Sequence, residues 1–185
     1  MNRRTLTIAL AALCLSVPAS ALMAIQSRAG QPILTVTGNV SQANRPAFDE
    51  FSDAYLNFRE KRFAKAYEFT LESLQSLPQK TITAQAEKWP DPVELTGAAL
   101  TDVLAQAGAS GKPVTVTALD GYAVSYSPQE IASQDWILAW QANGKPLSIG
   151  GRGPLWLVHS SGPTPSPDDI EARWIWSVFV IEAGS

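Results

Sequence analysis

What most limits how this chain can fold is a succession of short apolar stretches, rich in β-branched and aromatic residues, each closed by a turn residue. Pro32–Gly38 (PILTVTG) sets the pattern, with Ile33, Thr35 and Thr37 alternating with Leu34 and Val36. Residues 81–86 (TITAQA), 113–119, 122–127, 136–141, 155–158 and 174–181 repeat it. Runs of about four to eight such residues bounded by Gly, Pro, Asn or Ser predict strands rather than helices. Asn143-Gly144 supplies the positive φ angles of a tight hairpin turn. Helical signals are fewer. Residues 70–77 predict a short helix stopped before Pro78, and Ser127-Pro128 opens a helical turn. Thr96 is predicted to cap a helix through 98–107, with Leu100, Val103 and Leu104 on one side and Gly108 ending it. The proline-rich loop 163–169 (PTPSPDD) has an acidic end that caps or precedes a turn. Many short strands with a few short helices make one α+β domain.

Residues 45–66 interrupt the strand pattern. Phe48, Phe51, Tyr55 and Phe58 recur at spacings of three, four and three, which predicts a helical insertion with four aromatics on one face. Core packing is the expected use of that face, and a partner-docking surface is the alternative.

The first residues read as an export signal. Arg3 and Arg4 precede an almost wholly apolar run over 6–17, and Ala19-Ser20-Ala21 places small residues where a signal peptidase reads. The expectation is a cleaved signal peptide over 1–21, cut after Ala21, and a mature domain over 22–185 in the periplasm or outside the cell. The apolar run is shorter than the roughly 20 residues of a membrane span, so no anchor is expected. Arg3-Arg4-Thr5-Leu6 partly fits a twin-arginine signal, whereas the short basic start and strongly apolar core fit the general route better. Residues 22–185 carry 12 basic and 17 acidic side chains, a net charge of −5. That balance argues against nucleic acid or an anionic membrane as a partner. Cys14 is the only cysteine and lies inside the signal, so the expected mature chain has no disulfide, thiolate metal site or cysteine nucleophile.

Usual catalytic patterns are missing. His159 and Ser160 are neighbours, and in an extended strand their side chains point to opposite faces, which does not make a triad. GGRGP at 150–154 leads into Pro154 and a strand, whereas a phosphate loop leads into a helix N-terminus. A tight turn with Arg152 in solvent is the plainer reading. One histidine without cysteine excludes the usual zinc and copper ligand sets, and Asp168, Asp169 and Glu171 read as solvated acids.

Four segments in order resemble the molybdopterin-binding domain of sulfite-oxidase-like oxidoreductases. LTGAALTDVLAQAG (95–108) is similar to the family's helix, and ALDGYAVSYSPQEI (118–131) to its segment with a pocket tyrosine and a short helix. WILAWQANGKPLSIGGRGPLWLV (136–158) and ARWIWSVFVIE (172–182) are similar to its hairpin, Gly-Pro turn and closing strand. The resemblance covers about 34–181 and implies the sulfite-oxidase type of α+β fold, with mixed β-sheets and short helices.

Catalytic members of that family bind a molybdenum–pterin cofactor, with a cysteine thiolate on the metal and basic residues around pterin and substrate. By resemblance, the thiolate position falls at Glu87, Lys88 and Trp89, and the His and Arg of the family's "H-G-x-P-x-R" turn fall at Gly151 and Trp156. Tyr122 matches the pocket tyrosine and Arg173 the closing basic position. Arg152 is an extra cation, and His159 matches no functional position. The resemblance therefore implies an exported branch with a degenerate active site and no catalytic or metal-ligating residue. Its pocket around Tyr122, Arg152, Trp156, His159 and Arg173 is expected to bind a small anion, a pterin-like ligand or another exported protein, with no cofactor. Two alternatives stand beside it: a molybdenum–pterin oxidoreductase that holds its cofactor without a cysteine, and a pure protein-interaction module.

Overall fold

The computed structural model describes residues 30–162 and 164–184; the expected signal peptide lies outside them. Among the described residues ten strands form two sheets. In the first, β1 (Pro32–Gly38), β2 (Ala66–Thr70), β5 (Val114–Ala118), β6 (Ala123–Tyr126) and β10 (Val178–Ala183) take the order β2-β1-β10-β5-β6. The β1–β10 pair is parallel, with Val36 opposite Ile181, and its neighbours are antiparallel. The second sheet orders β3 (Gln79–Ala84), β4 (Val93–Ala99) and β7 (Ile137–Ala142). The two-residue β8 (Lys145–Pro146) and β9 (Trp156–Val158) share the other edge of β7.

Alternation puts Leu34 and Val36 of β1, Val116 of β5 and Ile181 of β10 in the core, where Leu95, Leu138 and Leu157 of the second sheet join them. α2 (Leu71–Gln75) buries Leu74, and α3 (Leu100–Gln106) buries Leu100, Val103 and Leu104. Asn143 and Gly144 take φ of 46° and 73°, the geometry their sequence predicts for the β7–β8 turn. α4 (Pro128–Ser133) begins with a full capping box: Ser127 Oγ accepts the Glu130 N–H, and Glu130 Oε2 accepts the Ser127 N–H.

Two expectations are corrected. Thr96 does not cap a helix; it lies within β4, and α3 starts at Leu100 behind Ala99. Gly97 explains the exchange, because a Cβ there would fall 2.1 Å from the Leu138 carbonyl oxygen, so the backbones of β4 and β7 meet only at a glycine. The aromatic stripe of 48–58 does not enter the core. Its helix, α1 (Ala54–Phe58), has five residues, too few for the spacing to define a face, and the inward positions are Asp53 and Leu56. Phe51 is 92% exposed and Phe58 74%. Phe48 rests on Phe63, and Tyr55 on Phe179 of β10. The segment covers the outer side of β1 instead, where Arg45 bonds Thr35 and pairs with Asp53 and Glu68.

Candidate functional site

Four of the six tryptophans, Trp89, Trp156, Trp174 and Trp176, gather in one cluster. Trp156 is delivered by β9 and is fully buried. Trp89 lies beyond the end of β3 and packs on both Trp156 and Trp174, with ring centroids 5.4 and 5.5 Å away. Trp174 and Trp176 stand in the irregular run before β10, pinned by reciprocal backbone hydrogen bonds between Leu157 and Ile175.

Arg152 enters this cluster from the turn after β8. Gly150 has φ of 92°, and the N–H groups of Gly151 and Gly153 both donate to the Ser148 carbonyl, so the chain folds sharply and aims residue 152 inward. The Gly153–Pro154 peptide is cis. The guanidinium lies over Trp176, Trp156 and Trp89, at 4.6, 4.8 and 5.1 Å from the ring centroids. Arg152 is half-buried, not solvated as the turn alone predicts, and among the described residues it has no ion pair or side-chain hydrogen bond. Its Nε and the indole N–H groups of Trp156 and Trp174 are buried donors without an acceptor.

The other predicted residues are placed apart from this cation. His159 is wedged edge-on between Trp136 and Trp174, at 4.6 and 5.5 Å. Burial lowers its pKa, opposed by the Ser160 carbonyl, to which Nδ1–H donates at 2.8 Å. Ser160 Oγ donates to the Thr83 carbonyl, so its hydroxyl is not aimed at the imidazole. Arg173 donates to Glu130 Oε1 at 2.7 Å and to the Ser125 carbonyl, and it covers the ring of Tyr126. Burial pushes the Tyr126 phenol well above its ordinary range.

Tyr122 immediately precedes β6 and lines a cleft of about 370 Å³ with Lys88, Asp120, Glu171, Trp174 and Trp176. Its hydroxyl donates to the Ala172 carbonyl at 2.7 Å, which fixes the ring across the cleft. α5 (Asp168–Glu171) forms the opposite rim, where Glu171 accepts the Trp89 indole N–H at 2.8 Å. Lys88 hydrogen-bonds and pairs with Asp168, and this bond, with the charges of Asp168, Glu171 and Glu87, holds its ammonium above the usual lysine range. Sequence reasoning did not single out Lys88, Trp174 or Trp176 as site residues. The density of tryptophan between 156 and 176 was the available signal.

Among the described residues no group of three or more His, Cys, Asp or Glu is arranged to hold a metal ion. Comparison with curated proteins gives no significant match. A family model for the oxidoreductase molybdopterin binding domain matches residues 56–161, from within α1 to just past β9 and so more than half of the chain. Tyr122, Arg152, Trp156 and His159 lie inside that span; Arg173, Trp174 and Trp176 complete the site from beyond it. The chain belongs to the oxidoreductase molybdopterin binding domain family.

Proposed function

We propose that this chain is an exported, non-catalytic member of its family that binds a small anion, such as the oxoanion of a pterin-like ligand, at Arg152. The observation that carries the reading is an unpaired guanidinium held on three indole faces, in a cluster that also holds the acceptor-less indole N–H groups of Trp156 and Trp174. Every orphan in this cluster is a donor, and a buried donor left unmade costs about 1–3 kcal/mol. An anion reaching the guanidinium edge supplies the missing acceptor chemistry.

The residues present do not fit a molybdenum–pterin group. Among the described residues there is no cysteine to supply a thiolate near Glu87, Lys88 and Trp89, and by resemblance the buried Trp156 falls where the family's arginine would be. Lys88 is committed to Asp168 and Arg173 to Glu130, while Asp120, Asp168 and Glu171 line the cleft that a pterin phosphate would approach. Groups able to move a proton are also engaged: His159 is buried with a lowered pKa, and Tyr126 with a raised one.

Two measurements on the protein purified from its own exported compartment test this. Metal and pterin analysis is expected to find neither in stoichiometric amount, and stoichiometric molybdenum would overturn the reading. Sulfate is expected to change the tryptophan emission saturably, because the ion docks beside Trp89, Trp156 and Trp176. Arg152→Gln abolishes that response, whereas Arg173→Ala keeps it. An unchanged response in Arg152→Gln sinks the assignment.

A further inference from the structure

We propose a second site of opposite preference: the cleft between Tyr122, Trp174 and Trp176 binds a small organic cation, a quaternary or alkylated ammonium group. The cleft's volume of about 370 Å³ accommodates a group of that size. Three of its walls are aromatic, and aromatic ring faces attract cations through their quadrupole. Its charged lining is Asp120, Asp168 and Glu171 against Lys88 alone. Lys88 is paired with Asp168 and also feels the charge of Glu171, so three carboxylates face one ammonium and the lining keeps an excess of negative charge.

Those two carboxylates are positioned by neutral donors that do not cancel their charge. Asp120 accepts the backbone N–H of Tyr122 at 2.8 Å, and Glu171 accepts the Trp89 indole N–H. Tyr122 is anchored through its hydroxyl, so the cage is built before any ligand arrives. Arg152 touches Trp176 but does not line the cleft. An anion in the same space would meet three carboxylates. The inference shares Trp174 and Trp176 with the Arg152 reading but rests on other charged groups, Asp120 and Glu171, so the two are tested by different variants.

The probe is choline chloride, titrated by calorimetry and tryptophan emission against its uncharged isostere 3,3-dimethyl-1-butanol. Saturable choline binding is expected, with the isostere weaker by about tenfold or more. Asp120→Asn and Glu171→Gln keep the two positioning hydrogen bonds while removing charge. Each is expected to weaken choline by about fivefold and to leave the isostere unchanged. Circular dichroism and melting of both variants confirm that they fold. Equal affinity for choline and the isostere, or no saturable choline binding by the folded wild type, overturns the proposal. Sulfate titrated in parallel reads the Arg152 site, so failure of one site is distinguishable from failure of the other.

Discussion

The protonation of His159 is set by where its ring sits. Wedged between two indoles, the imidazole loses hydration that its charged form needs, and its pKa falls below the ordinary value. The unfolded chain therefore takes up this proton first as pH drops. The contribution of the neutral ring is fully present above about pH 6.5 and is lost as pH falls from there towards the folded pKa. Urea unfolding at pH 7.5 and 5.5 is expected to show a decline in the wild type that is smaller in His159→Gln. An equal decline in both would show that His159 is not the titrating group. The two arginines of the site differ in the same local terms. Arg173 has a carboxylate, a carbonyl and a phenol ring as neighbours, whereas the side chain of Arg152 has only rings among the described residues.

At the scale of elements, what decides each one is whether its signal is local. β1, β5 and β6 arise from alternation, β7 from a continuous apolar run, α4 from Ser127 and Pro128, and the β7–β8 turn from Asn143-Gly144, because each signal lies within the element it builds. β2 and β4 were not legible: β4 is specified by the approach of β7 at Gly97, a contact between segments about forty residues apart. The candidate site was half legible for the same reason. Tyr122 and the Arg152 turn stand out in the chain, but the cleft also needs Lys88, Glu171, Trp174 and Trp176, which only folding brings together. Substitution tests the two kinds of position. Gly97→Ala is expected to cost about 2–4 kcal/mol in chemical denaturation, since the new methyl meets backbone that cannot yield. Phe51→Ser and Phe58→Ser are expected to stay within about 0.5 kcal/mol, because both rings already face solvent.

Across the whole molecule, the family match ends at residue 161, while the fold depends on a strand C-terminal to that point. β10 is the middle strand of the first sheet, with β2 and β1 on one side and β5 and β6 on the other. A chain ended after Ser177 would keep two separate ribbons, each with a bare edge facing the gap, and two-stranded ribbons are marginal alone. Such a chain is expected to lose its cooperative melting transition and to aggregate in size-exclusion chromatography; a soluble monomer with a sharp transition would contradict this role of β10. The parallel β1–β10 pairing also orders events during synthesis. Among the described strands, the one that joins the halves of this sheet is the last to leave the ribosome. Until it docks, the earlier strands of this sheet flank an empty slot, so the sheet closes only when the last of its described strands is in place.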